Sequence, residues 1–120
     1  MNQIAKGEKV PINPGSPPPE IEVVIGSIAI GFYSSYLIKD SSHPLICKGS
    51  SAQPVKRCKI SDNSATLPGC KVSWQVGLAG AAPNDLFNVT VTLMQDGNNL
   101  RQYKYNGQGD DLIVDYVTLV

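Results

Sequence analysis

Residues Cys70 to Tyr105 read CKVSWQVGLAGAAPNDLFNVTVTLMQDGNNLRQYKY. Apolar and polar residues alternate in two runs of this segment, Cys70 to Leu78 and Leu86 to Met94. A period of two is typical of a strand with one buried and one solvated face, so the segment predicts an antiparallel sheet. The predicted inward rows contain Val72, Trp74, Val89 and Val91.

Asp96 and Gly97 follow the second run and predict a β-hairpin, because an Asp-Gly step is a strong turn signal and glycine adopts positive φ freely. A loop of two residues would place Lys104 beside the apolar row. A loop of three residues, ending at Asn98, gives aromatic and β-branched cross-strand pairs worth about 0.2–1 kcal/mol each. We therefore predict the three-residue loop, with the pairs Val91–Tyr103 and Val89–Tyr105.

The length and charge of the chain limit its function. At 120 residues it is predicted to form one domain. Ten basic residues balance ten acidic residues, which gives no electrostatic argument for binding nucleic acid or an anionic membrane. The charged fraction is 17%, below the usual value of about 25%, and this composition favours a secreted or surface protein. Residues 1–20 contain no apolar signal-peptide core.

Residues 1–20 contain five of the nine prolines. Proline fixes φ and lacks a backbone donor, so this segment is predicted to be an extended proline-rich arm or linker, with Pro17 to Pro19 in polyproline II conformation. Residues 21–120 are predicted to form the single folded domain. The arm is also a candidate ligand for an aromatic groove of a partner protein.

The segment Ile21 to Ile38 is apolar enough to suggest a membrane helix, with no charge from Val23 to Ile38. The uncharged run is shorter than the roughly 20 residues that a spanning helix needs, and it is rich in glycine, serine and β-branched residues. We therefore predict one long bent strand or two short strands and no membrane span. Phe32 and Tyr36 share one face of the segment.

Two further segments are predicted to be strands. In Val55 to Ile60 only Cys58 and Ile60 are predicted to face inward, and the basic residues around them predict an edge strand. Asp111 to Val120 is apolar on both faces, which predicts a central strand. Asp115 interrupts one of those faces, and its carboxylate must be hydrogen-bonded, paired or near the surface, because an unpaired buried charge is very costly.

The cysteines and the only histidine give no catalytic or zinc motif. Cys47, Cys58 and Cys70 are an odd set, so at most one internal disulfide forms, and a Cys47–Cys58 bridge across a hairpin is the favoured pairing. Their spacing contains no paired motif that would hold zinc with His43. His43 also lacks a nucleophile motif and an orienting acid, so we predict that the protein is not an enzyme.

The turn that contains Asp110 and Asp111 is the candidate metal site. Calcium takes six to eight oxygen ligands, often from acidic loops, and Asn106 and Gln108 are the nearby amides. The alternative is that both aspartates only stabilise the turn through local hydrogen bonds. No other cofactor is predicted.

Several short strands separated by proline-marked loops predict an all-β fold, a two-sheet antiparallel β-sandwich of immunoglobulin-like or jelly-roll type. The favoured function is a non-catalytic binding module that recognises a carbohydrate or a protein surface through its loops or an exposed tyrosine face. The alternative is an assembly subunit, a homo-oligomer formed through sheet edges or the N-terminal arm. The candidate ligand-binding residues are Tyr33, Tyr103, Tyr105, Asn106 and Gln108.

Overall fold

The computed structural model describes residues 4–27, 30–51, 57–61, 63–79 and 82–120. In these ranges the chain forms nine β-strands and one short 3-10 turn, Ser64–Thr66. The strands are β1 Glu8–Val10, β2 Glu20–Ser27, β3 Ile30–Ile38, β4 Leu45–Ser50, β5 Arg57–Lys59, β6 Lys71–Ala79, β7 Leu86–Gln95, β8 Asn98–Gln108 and β9 Asp111–Leu119. The prediction of an all-β fold is confirmed.

The strands form two packed sheets, as predicted. Sheet A has the order β1-β9-β6-β3-β4 and sheet B has the order β5-β2-β7-β8. Every neighbouring pair is antiparallel except β1 and β9, which are parallel. The two alternating runs of the sequence are β6 and β7, and they lie in different sheets. Their apolar rows face each other across the core instead of forming one sheet.

The core lies between β6 and β7. Trp74 is fully buried and donates a hydrogen bond through Nε1 to the Tyr105 hydroxyl at 3.2 Å. Its ring lies 5.6 Å from the ring of Tyr103, measured between centroids. Burying a valine or leucine side chain contributes about 1.5–3 kcal/mol, so the inward rows are the main source of stability. The predicted inward residues are all buried: Val72, Trp74, Val89 and Val91.

The hairpin between β7 and β8 has the predicted cross-strand pairs but a different turn. Val91 lies opposite Tyr103 and Val89 lies opposite Tyr105. The loop has only two residues, Asp96 and Gly97, with φ of 52° and 77°, so the three-residue loop is wrong. The extra residue lies instead in a β-bulge at Leu100, where the register shifts. A bulge changes strand parity just as a longer loop does.

The segment predicted to be an extended arm is packed against the domain over its described residues. β1 adds a parallel edge strand to sheet A, and Ala5 and Val10 belong to the buried core. Two buried side chains, Asp115 and Gln95, form hydrogen bonds with the backbone of this segment. The Asp115 carboxylate accepts hydrogen bonds from the amides of Ala5 and Lys6, both at 2.7 Å. This confirms that Asp115 is hydrogen-bonded.

Gln95 holds the proline-rich part of the same segment. Its side chain accepts from the Asn13 amide at 2.8 Å and donates to the carbonyls of Asn13 and Pro17 at 2.8 and 3.1 Å. Pro19 is fully buried. The Gln95 side chain thus provides hydrogen-bond partners for one amide and two carbonyls of a segment whose prolines lack amide donors.

The remaining strand predictions have mixed outcomes. The apolar segment 21–38 forms two strands, β2 in sheet B and β3 in sheet A, and residues 28–29 lie outside the described ranges. β5 is an edge strand, as predicted, and residues 55–56 of that segment are not described. The Cys47–Cys58 disulfide is present, but it joins the edge strands β4 and β5 of different sheets and does not cross a hairpin.

Candidate functional site

The outer face of sheet A carries large apolar side chains that are exposed to solvent. β9 was predicted to be a central strand, and it lies between β1 and β6 in sheet A, but only one of its two apolar faces is buried. Leu112 and Val114 are 63% and 62% exposed, and Tyr116 projects from the same side of β9. On β3, Phe32 is 58% exposed. An exposed cluster of this kind is a marker of an interaction surface.

The strand register orders these side chains into rows that cross the sheet. The outward rows, taken from β4 to β9, are Ser50–Phe32–Gly77–Leu112, Lys48–Ser34–Gln75–Val114 and Leu45–Tyr36–Ser73–Tyr116. We call the outward residues of one strand a column. The columns of β3 and β9 contain large apolar residues, and the column of β6 between them contains small or polar residues. We call the depression along Gly77, Gln75 and Ser73 the sheet A groove.

The dimensions of the sheet A groove follow from strand geometry. Strands two positions apart in a sheet are separated by about 10 Å, which sets the distance between the β3 and β9 columns. From Gly77 to Ser73 the groove runs about 14 Å, at about 3.4 Å per residue. Gly77 has no positive φ, and a Cβ atom built on it meets no heavy atom within 4 Å. The floor between Phe32 and Leu112 is therefore open space.

One end of the groove widens into a cleft of about 530 Å³. Its walls combine the apolar side chains of Phe32 and Leu112 with hydrogen-bonding groups, which is the usual composition of a ligand site. The polar lining residues are Ser34, Lys48, Ser50 and Gln75, and the others are Tyr33, Gly49 and Gly77.

The far end of the outer face is cationic. Lys9, Thr118 and Lys71 lie in one row across β1, β9 and β6. The Lys71 ammonium lies 5.5 Å from the centroid of the Tyr116 ring, a distance at which the cation is attracted to the ring face. The Tyr116 ring also covers Gly7, where a Cβ atom would approach it to 2.9 Å. Tyr116 is thus held in a defined position.

Two of the tyrosines predicted to bind ligand are buried instead. Tyr103 and Tyr105 are only 4% and 3% exposed, because they lie on the inward face of β8 opposite valines. Burial is the main cause that raises the pKa of both, and hydrogen bonds to carboxylates of Glu8 and Asp115 raise the pKa further. These hydroxyls stay protonated, and the two rings belong to the core, so the rings cannot stack on a ligand.

The other three predicted ligand residues do not form one site. Tyr33 is buried on the inner side of β3, where its ring covers Gly49, and it contributes to the lining of the cleft. Asn106 and Gln108 are exposed on β8, which belongs to the other sheet. Tyr33 therefore contributes to the lining of the cleft from the inner side of β3, and Asn106 and Gln108 lie on the opposite side of the sandwich.

The acidic turn lies between β8 and β9, where the chain passes from sheet B to sheet A. Asp110 and Asp111 are exposed, and Asp111 accepts a hydrogen bond from the Leu112 amide at 2.7 Å. Within the described ranges no three His, Cys, Asp or Glu side chains are grouped so that they could hold a metal ion. Calcium binding at Asp110 and Asp111 stays a prediction.

The only histidine and the only free thiol differ in their exposure to solvent. His43 is exposed in the loop between β3 and β4, whereas Cys70 is buried and its Sγ lies 3.5 Å from the Thr66 carbonyl oxygen. As for membranes, the described part of the chain holds no helix with the length and apolar character needed to cross a bilayer.

Sequence reasoning missed Leu112 and Val114 as surface residues. The signal was present in β9, where apolar residues occupy both faces of one strand. Such a pattern has two explanations, burial on both sides or an apolar surface, and only the position of the strand in an open two-layer sandwich separates them.

Comparisons of the chain with models of protein families, with curated proteins and with solved structures found no match.

Proposed function

We propose that this protein is a non-catalytic binding module that holds a carbohydrate chain in the sheet A groove. The observation that carries the proposal is the row Phe32–Gly77–Leu112, in which two large exposed apolar side chains flank an open glycine floor. Sugar rings have apolar C–H faces and polar hydroxyl edges. Aromatic faces stack on the first, and hydroxyl, amide and ammonium groups bind the second.

The pattern of the face favours a sugar over a protein surface. The core of a protein interface is a continuous apolar patch inside a polar rim. On sheet A the apolar columns of β3 and β9 are instead separated by the hydrogen-bonding side chains of Gln75 and Ser73. A linear chain of sugar rings lying along β6 would meet the polar side chains of β6 beneath it and the apolar side chains of β3 and β9 on either side.

Filling the groove is the sharpest test of this function. A Cβ atom at Gly77 meets no heavy atom within 4 Å, and valine is favoured in strands, so we expect Gly77→Val to fill the space between Phe32 and Leu112 and to keep the fold. We expect Gly77→Val and Phe32→Ala each to weaken binding to a glycan array at least tenfold.

The matched control is Leu86→Ala. Leu86 is 70% exposed but lies on the outer face of sheet B, opposite Gln108. Its removal should leave glycan binding unchanged. Equal binding by wild type, Gly77→Val and Phe32→Ala would exclude the groove, and silence of the wild type across the whole array would exclude carbohydrate binding.

A second candidate function is assembly through a sheet edge. β8 lies at the end of sheet B and is 11 residues long, and an edge strand of this length is a template for pairing with another chain. Arg101 and Lys104 oppose pairing between two copies of β8, since like charges would meet. Solution mass measured over a wide concentration range tests this function, and a monomer at every concentration would remove it.

A further inference from the structure

We infer that the carbohydrate bound by the sheet A groove is anionic, carrying carboxylate or sulfate groups. The inference rests on the proposed function and adds the charge of the ligand to it. The chain as a whole has no net charge, with ten basic and ten acidic residues. The distribution of these charges over the two sheets is nevertheless unequal.

On the described outward positions of sheet A all charged side chains are lysines. Lys48 lines the cleft at one end of the groove, and Lys9 and Lys71 lie in one row at the other end. All three are exposed. The acidic residue nearest to these lysines along the chain is Glu8, next to Lys9. Glu8 has the inward parity of β1, opposite the buried Val117, and its carboxylate is already paired with Arg101 and accepts a hydrogen bond from the Tyr103 hydroxyl. Asp40 lies in a turn, and Asp111 lies at the start of β9.

The outer face of sheet B is different. There Glu20 and Glu22 lie among basic residues, and Glu22 forms an ion pair with Arg57 at 3.2 Å. The basic charge of sheet B is thus partly neutralised within the protein. On sheet A Lys48 lies in the row of Gln75, and Lys71 lies four residues further along β6, about 14 Å away in the strand direction. A linear ligand with regularly spaced negative groups can therefore meet both lysines while its rings contact the apolar columns.

The two matched ligand pairs that test this inference differ only in charge. The first is polygalacturonate and its methyl ester, which differ in the carboxylate; the second is dextran sulfate and dextran, which differ in the sulfate. We expect the wild type to bind at least one anionic member more than tenfold tighter than its neutral counterpart. Salt should weaken that binding, since exposed charges are screened over about 10 Å at 0.1 M and about 3 Å at 1 M.

The test variant is K48M/K71M, and the matched control is K59M/K104M, which removes the same charge from the outer face of sheet B. The test variant should bind the anionic glycan roughly 4- to 25-fold more weakly, from roughly two- to fivefold per exposed ion pair. The control variant and K48R/K71R, which keeps the charge, should bind like the wild type.

The outcomes separate the inference from the proposed function. Equal binding to both members of each pair, or equal loss in test and control variants, overturns the charge inference and leaves carbohydrate binding in place. Tighter binding to a single-stranded oligonucleotide than to any anionic glycan overturns the choice of ligand class. No binding to these four ligands or to any array glycan overturns both.

Discussion

Replacing Asp115 with asparagine exchanges one oxygen of a buried carboxylate for an amide nitrogen and leaves the shape of the side chain almost unchanged. Four donors converge on this carboxylate. One oxygen accepts from the Ala5 amide at 2.7 Å and the Tyr105 hydroxyl at 2.6 Å, and the other accepts from the amides of Lys6 at 2.7 Å and Tyr116 at 2.9 Å. An asparagine has only one acceptor oxygen for these four groups.

The magnitude follows from the best arrangement of the new amide. Its oxygen keeps the amides of Lys6 and Tyr116, and its nitrogen donates to a rotated Tyr105 hydroxyl, so the Ala5 N–H loses its acceptor. An unsatisfied buried donor costs about 1–3 kcal/mol, and the two remaining bonds lose about 1 kcal/mol each when the acceptor becomes neutral. Asparagine avoids part of the desolvation cost of a buried charge. We therefore expect Asp115→Asn to lower the free energy of unfolding by about 2–4 kcal/mol.

Urea unfolding followed by Trp74 fluorescence measures this change, because Trp74 donates to the same Tyr105 hydroxyl. The midpoint should fall by about 1–2 M urea, and the Ala5 amide should lose more protection from hydrogen exchange than the Lys6 amide, which keeps its acceptor. Asp111→Asn is the matched control, since Asp111 is exposed and its change should stay within about 0.5 kcal/mol. An Asp115→Asn protein as stable as the control would refute this account of the carboxylate.

Three further changes should alter stability in defined ways. Burial raises the pKa of Tyr103 and Tyr105, so the folded state keeps two protons that the unfolded chain releases above about pH 10. Stability is complete below that pH and should fall by about 1.4 kcal/mol per pH unit for each tyrosine above it; urea midpoints that do not change with alkaline pH would contradict this. Reducing the Cys47–Cys58 disulfide should cost about 3 kcal/mol, since it closes a loop with a sequence separation of 11, and unfolding with and without reductant measures the difference. Gly97→Ala should cost about 1 kcal/mol because Gly97 has a φ of 77°, with no contact within 4 Å to offset or add to the effect, and unchanged stability would show that the turn has relaxed.

Local patterns in the sequence predicted which side chains of a strand share a face. The alternation in β6 and β7 placed Trp74 and Val89 in the core, and the parity of the hairpin placed Tyr105 opposite Val89. The position of the extra residue was not predictable by parity, because a longer loop and a bulge at Leu100 give the same pairs. The same parity should have placed Tyr105 inside, where it could not serve as a surface residue.

Long-range contacts decided what the local patterns could not. Proline content predicted an extended arm, but the bond that holds the N-terminal segment joins Ala5 to Asp115, 110 residues apart in the chain. The pairing of β6 with β3 and β9 likewise depends on strands distant in sequence. For the groove, alternation placed Phe32 and Tyr36 on one face, but only the register shows that Gly77 lies beside Phe32 and Leu112.

The parallel pairing of β1 with β9 has a mechanical consequence. Because β1 enters and β9 leaves at opposite ends of their shared ladder, tension applied through residues 4 and 120 pulls the two strands past each other and loads their hydrogen bonds together. Tension applied through Leu86 and Gln108, which face each other across β7 and β8, opens those bonds one after another. Single-molecule stretching should therefore record a higher rupture force for the first attachment than for the second. Equal forces would mean that the N-terminal strand bears no tension.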